Sequence, residues 1–213
     1  MVKKSNSHSQ KTIRFYDKFS GSYDRLYSSY LKHTHSKFSD RLQISPGDRV
    51  LDISCGTGIL GEEIIKSNLP LSELVLNDPS EGMIKEAKKR LGDQDEKIRF
   101  TQYKAEEPGF ENHSFDRIIC LNSLHYYSDH ALVIMNFHRL LKPGGTLYIL
   151  DWNLEGWFHL PNKVIDLLSP EHINTASARS IRSKLGEAGY EIRQSDKWSY
   201  RLWKFYFFEA VVK

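Results

Sequence analysis

Two aspartates, Asp52 and Asp78, stand on either side of a glycine-rich stretch, LDISCGTGILG at residues 51–61, in which Gly56, Gly58 and Gly61 spell G-x-G-x-x-G. A bend of this composition between a strand and a helix lets a ligand approach bare backbone at the positive end of the helix. An acid at the end of the next strand, as Asp78 is expected to be, accepts from both hydroxyls of a ribose. These features suit two ligands equally well: a dinucleotide with its pyrophosphate over the bend, or a nucleoside carrying a cationic amino-acid tail. Asp52 separates them. It lies four residues before Gly56, where a carboxylate repels a diphosphate and attracts an ammonium or sulfonium group. Cys55, inside the bend, reads as a small buried filler rather than a nucleophile.

The elements around these residues have to place them on one edge. Apolar residues recur at helical spacing from Ile13 to Leu42, with Gly21 as an expected break and a frayed polar lead at residues 1–10. Residues 45–49, SPGDR, read as a turn. The branched run VLDIS then predicts a buried strand, and GILGEEIIKS a helix. The alternation continues with strands at 74–77, 98–103, 115–122 and 146–151. Helices are expected at 79–91, capped by Ser80, and at 130–141, stopped by KPGG. After a Trp- and Pro-rich stretch at 152–172, a helix at 178–190 exits at Gly189, and two strands close the chain. This pattern predicts an α/β domain, a mainly parallel sheet with helices on both faces. In such a sheet ligands sit at the carboxyl ends of the strands. Residues 54–58, Asp78, 103–106 and 121–125 then surround one crevice.

Composition narrows the function classes. A chain of 213 residues with 39% hydrophobic and 27% charged residues fits one globular domain. A net charge of +3, with the basic residues scattered, does not describe a nucleic-acid surface. No apolar run reaches the ~18 residues of a membrane span, and the lysines at the N-terminus have no apolar segment after them, so no secretory signal is expected. Cys55 and Cys120 read as free thiols in a reducing cytoplasm, and the nine histidines show no metal-ligand spacing.

Four stretches carry a wider resemblance: VLDISCGTG, NDPSEGMIKEAKKR, AEEPGFENHSFDRIICLNSLHYY and LLKPGGTLYILD, in this order over residues 45–151. With them the chain resembles the class I S-adenosylmethionine-dependent methyltransferases, especially the small-molecule group that includes quinone-biosynthesis methyltransferases. FYDKFSGSYD at 15–24 is similar to the N-terminal helix that closes over the cofactor in that group. The resemblance implies a Rossmann-like three-layer sandwich whose seven-stranded sheet has an antiparallel last strand between strands five and six. It implies an N-terminal helical lid at 1–44 and a methyltransferase domain at 45–213, with a substrate-cap insertion at about 152–176.

By position, it implies that Asp52 and the backbone of Ser54, Cys55, Gly56 and Gly58 hold the methionine end. Asp78 takes the ribose, with Pro79 a further cofactor contact; Met83 packs under the adenine, and Ala105 and Glu106 border the adenine edge. Leu121 and Asn122 contribute near the methionine moiety, and Tyr23 joins them from the lid. Lys104 stands where relatives often carry an acid, which leaves the adenine amino group to Glu106 or to backbone. Tyr16, Trp152 and His172 are candidates for the acceptor side. His125 faces the crevice either as a base or as a structural residue opening the next helix. The chain lacks an NPPY-type stretch after strand four, which argues against planar nitrogens of DNA or glutamine. The expected partner is a small apolar or lipid-like acceptor, with peripheral membrane contact left open. A cofactor-binding protein without turnover and a nicotinamide-dependent oxidoreductase are the competing readings. The second needs another nucleotide-binding half, which the C-terminal strand pair does not supply.

Overall fold

The computed structural model describes residues 2–92, 96–168 and 173–213. Two helices lead the chain, α1 (Val2–Leu26) and α2 (Ser28–Ser39). There follow β1 (Arg49–Asp52), α3 (Ile59–Lys66), β2 (Glu73–Asn77), α4 (Glu81–Leu91), β3 (Ile98–Thr101), β4 (Phe115–Leu121), α5 (His130–Leu140), β5 (Leu141–Trp152), α6 (His159–Leu168), α7 (Ala178–Glu187), β6 (Tyr190–Tyr200) and β7 (Trp203–Val212). The strands form one sheet in the order β3-β2-β1-β4-β5-β7-β6. The first five strands pair in parallel. β7 lies between β5 and β6 and runs antiparallel to both, as the resemblance implies.

Strand alternation divides the interior between the two faces of the sheet. Leu51, Val75 and Ile118 pack with Val133 and Phe137 of α5 and with Ile181 and Leu185 of α7. Val50, Leu74, Leu76 and Ile119 pack with Phe38 of α2, Leu60 and Ile64 of α3, and Ile84 and Ala87 of α4. The result is three layers. Side chains at alternate positions of a strand share a face, so Asp52 projects on the same side as Val50, towards α2 and α3.

The structure departs from the sequence reading in three places. α1 begins at Val2 and passes through Gly21 without a break. No Pro or Gly interrupts residues 2–20, and one exposed Gly costs only about 1 kcal/mol in a helix. The break falls instead at Tyr27, whose φ of −103° and ψ of 13° leave the helical region. α5 ends at Leu140, just before KPGG as expected, but KPGG itself is already part of a strand: β5 begins at Leu141 rather than near Thr146, and its register with β4 shifts between Phe115 and Arg117. Lys142 there bonds Asp116 of β4 through its ammonium group, at 2.8 Å. Third, the Trp-rich insertion contains a helix of its own, α6, with Trp157, Leu160, Val164 and Leu167 exposed. Among the described residues no helix is long and apolar enough to cross a membrane.

Candidate active site

The loops after β1, β2 and β4 open at the same edge of the sheet, and α1 and α2 lie across them. They enclose a cavity lined by Asp52, Ser54, Cys55, Gly56, Asp78, Pro79, Met83, Leu121 and Asn122 from the sheet side, and by Tyr16 and Tyr23 of α1. Eleven residues singled out in the sequence therefore meet around one space.

The floor is built mostly from backbone. After β1 the chain bends at Gly56 and Gly58, whose φ values of 53° and 79° lie in the left-handed region that side chains disfavour. The bend is braced from β2. Asp78 Oδ2 accepts from Gly56 N–H at 3.0 Å, and Asp78 Oδ1 accepts from Ser80 N–H at 2.9 Å. Each carboxylate oxygen retains a second lone pair, so Asp78 holds the loop and still offers acceptors to the cavity. Burial raises its pKa to about 6, against the opposing pull of those two N–H groups. Ser80 caps α4 by accepting from Met83 N–H at 3.2 Å, which sets Met83 against the cavity.

Asp52 is the least satisfied group of the floor. It is buried, and its Oδ1 has no hydrogen-bond partner. Burial raises its pKa to about 7, with Ser54 N–H opposing and Asp78 reinforcing. A buried carboxylate with an unused oxygen is costly unless a cation or donor meets it. Asp52 thus fits a ligand with a positive end. The Ser54 and Tyr127 hydroxyls share a hydrogen bond of 2.7 Å. The Cys55 thiol is pushed well above its usual range by burial, with Asp52 and Asp78 adding to the effect, so it is no nucleophile near neutral pH.

The roof is tied down by side chains. Asp17 Oδ1 accepts from Ser80 Oγ–H at 2.6 Å and from Gly82 N–H at 3.1 Å. The contact is close: a Cβ on Gly82 would lie 2.9 Å from Asp17 Cα, so only glycine lets α1 rest there. Asp24 Oδ1 accepts from Thr57 Oγ–H at 2.6 Å, and Asp24 also pairs with Arg90, whose Nε–H donates to Thr57 O at 2.9 Å. The Tyr16 hydroxyl donates to Tyr126. α2 is held by Asn122, a positive-φ residue at the end of β4. Its Oδ1 accepts from Tyr30 OH at 2.9 Å and its Nδ2 donates to Thr34 Oγ1 at 2.8 Å. Trp152 Nε1–H in turn donates to Tyr30 OH at 2.8 Å.

Other sequence candidates lie off the lining. Gly58 forms the N-terminal boundary of α3 behind it. Ala105 is buried in the opposite core, and Asn136 Nδ2 donates to the carbonyls of Ala105 and Glu106. That turn is anchored to α5 and does not border the cavity. His125 is buried, donates from Nδ1 to Asp151 Oδ1 at 2.5 Å, and stacks on Trp152 with ring centres 4.1 Å apart. The structure therefore does not bear out the expectation that His125 faces the crevice. Asp151 and Trp152 hold it beneath the lining, and Trp152 is likewise turned into that packing. His172 lies outside the described residues.

Several lining residues went unmarked in the sequence, among them Thr12, Ile13, Leu31, His35 and Tyr126. His35 had a readable signal. It lies four residues after Leu31 and three before Phe38, on the buried stripe of α2.

A family model described as a methyltransferase domain matches residues 23–195. The chain is 33% identical over 113 residues to the ubiquinone/menaquinone biosynthesis C-methyltransferase UbiE of Coxiella burnetii, covering 52% of this chain and 45% of that protein. It is 27% identical over 169 residues to a demethylmenaquinone methyltransferase of Listeria welshimeri, covering 76% and 72%. The match thus spans about half the length of the Coxiella relative. Among solved structures, a Haloferax volcanii methyltransferase complex with the Trm112 activator has a chain that superposes with a TM-score of 0.80 at 18% identity, covering 92% of this chain and 97% of that one. A Thermotoga maritima SAM-dependent methyltransferase superposes with a TM-score of 0.75 at 17% identity, covering 94% and 99%. The chain belongs to the class I S-adenosylmethionine-dependent methyltransferase family.

Proposed function

We propose that this chain transfers a methyl group from S-adenosylmethionine to a small, apolar, quinol-like or lipid-like acceptor. The unpartnered Oδ1 of buried Asp52 carries the reading, because it needs a cation from a ligand and the family's cofactor brings an ammonium group. In this reading the bend at Ser54, Cys55, Gly56 and Gly58 supports the methionine end by backbone. Asp78 accepts from the ribose. Pro79 and Met83 pack on the adenine, and Leu121, Asn122 and Tyr23 close the methionine side. Ala105 and Glu106 belong to the frame of the site. Residues 1–44 act as its lid, and residues 152–176 as a cap on the acceptor side.

The cofactor, when bound, supplies a methyl group already activated by positive sulfur. The protein then has to orient the acceptor and exclude water, and orientation alone contributes up to ~7–11 kcal/mol. Tyr16, Tyr23 and Tyr126 surround the cavity with aromatic rings, whose faces attract a cation by ~0.5–2 kcal/mol. Tyr16 is assigned to the acceptor side of this group. Trp152 acts indirectly, by positioning Tyr30. His125 is assigned no proton transfer, since Asp151 and Trp152 hold it beneath the site. The apolar character of the acceptor rests on the aromatic lining and on the quinone substrates named for the two bacterial relatives.

The test is incubation with methyl-labelled S-adenosylmethionine and a panel of demethylated quinols, phospholipid headgroups and small amines. Label in the quinol fraction, with matching S-adenosylhomocysteine, supports the reading. Label only in the amines overturns the acceptor class. Thermal stabilisation by NAD and by neither sulfur ligand overturns the cofactor.

A further inference from the structure

His35 belongs to no part of the reading above, yet it occupies a notable position. It is 8% exposed, lines the same cavity as Asp52, and its Nδ1 has no hydrogen-bond partner. Two residues that line one cavity, Asp52 and His35, therefore each carry a buried polar atom without a partner in the protein, one a carboxylate oxygen and the other an imidazole nitrogen.

The surroundings of His35 say which ligand group it meets. Thr57, Ile59 and Leu60 line the cavity with it; Ile59 and Leu60 are the first residues of α3, and Thr57 immediately precedes its cap. The first N–H groups of a helix lack intrahelical acceptors and carry the positive end of its dipole. Here the capping position is Gly58, which supplies no side-chain cap. Asp24 and Arg90, the two charges felt by His35, neutralise one another as an ion pair. An uncapped helix start beside an unpartnered imidazole nitrogen, which as its N–H tautomer is a donor, with Asp24 and Arg90 cancelling, is a place for a carboxylate. Asp52 already demands the ammonium.

We propose that His35 binds the α-carboxylate of the cofactor's amino-acid tail together with the N-terminus of α3, so that Asp52 and His35 read the two charges of one zwitterion from opposite walls. The assignment rests on the methyltransferase reading. It gives α2 a part in ligand recognition as well as in covering the site. Burial holds the His35 pKa down to about 4, so the ring meets the carboxylate as a neutral donor.

The experiment is calorimetric titration of the full chain and of His35→Leu and His35→Gln with three ligands. S-adenosylhomocysteine carries both charges of the tail, its decarboxylated analogue S-adenosyl-3-thiopropylamine carries only the ammonium, and 5′-methylthioadenosine carries neither. A donor lost from a charged acceptor corresponds to roughly ten- to hundredfold in affinity. The expected result is a loss of that size for S-adenosylhomocysteine in His35→Leu, under threefold change for the other two ligands, and substantial recovery in His35→Gln. Equal losses for S-adenosylhomocysteine and the thiopropylamine would show that His35 serves packing, and overturn the assignment. So would an unchanged affinity, which would also exclude the cofactor as the source of any carboxylate at this position. If the unaltered chain bound none of the three, the methyltransferase reading itself would fail, and the role of His35 with it.

Discussion

The floor and the roof of the cavity are built on different principles. The floor consists of loops rooted in a parallel sheet, and its geometry is kept by main-chain donors on Asp78 and by a bend that needs two left-handed glycines. The roof consists of two helices attached through Asp17, Asp24, Tyr16 and Asn122. A floor of this kind changes shape only if the sheet does. α1, held by such pegs, is released one side chain at a time, whereas α2 stays with the core through Phe38. Most of the ligand's affinity is accordingly assigned to the floor, with His35 of α2 adding one contact, and the rate of entry and exit to α1.

The comparison breaks most sharply at Asp78. Replacing it with Ala removes the brace from Gly56 and Ser80 and the acceptors for a ribose together. S-adenosylhomocysteine binding should weaken by at least roughly a hundredfold, since each hydrogen bond to a charged group contributes ~1.5–3 kcal/mol. Isothermal titration measures this, and a change under fivefold would place the ribose elsewhere. Asp24→Ala acts on the roof alone. It frees Thr57 and Arg90, and stopped-flow dissociation of S-adenosylhomocysteine should accelerate about tenfold, the equivalent of one hydrogen bond to a charged group. The melting temperature without ligand should move by no more than a few degrees. A larger fall in stability than in residence time would mean that α1 belongs to the core.

A third effect is a pH dependence. The folded-state pKa values of Asp52 and Asp78, about 7 and about 6, lie above the ordinary value of 3.8. Raised carboxylates stabilise the folded chain fully below the unfolded value, and that contribution is lost as pH rises through the folded ones. The ligand-free chain should therefore melt lower at pH 7.5 than at pH 5, and Asp52→Asn should flatten the trend, as calorimetry would show. The smallest effect expected is that of Ser80→Ala. Loss of the α4 cap costs about 1 kcal/mol, read from urea unfolding.

The same division explains how much could be read from the sequence. Asp52, Gly56, Asp78 and Pro79 lie at or just beyond the end of a strand and Met83 in the first turn of the helix that follows, so local pattern and sheet topology together bring them to one edge. Ser80 was legible as a cap for the same reason. The roof was only partly legible. Tyr16 and Tyr23 follow helical spacing, but the spacing does not say what the helix covers. The pegs Asp17 and Asp24 look like ordinary exposed acids until α1 is laid on α4. His125 shows the converse limit: its position after β4 points to the crevice, and only the packing of Asp151 and Trp152 turns it inward. Gly21 misled because a local breaker yields to tertiary contact, here the packing of α1 on α4, whereas KPGG does end α5 and is then drawn into β5, whose pairing with β4 begins at Leu141 and Phe115.

The central claim is that an unsatisfied buried acid waits for the cation of the cofactor's tail. Titration of S-adenosylhomocysteine into the unaltered chain and into Asp52→Asn between pH 5 and pH 8 tests it most directly. Affinity should climb with pH in the unaltered chain and level off above about 7, while Asp52→Asn should bind roughly ten- to hundredfold more weakly at pH 8 with little slope. Equal affinity and equal slope in the two proteins would contradict the account.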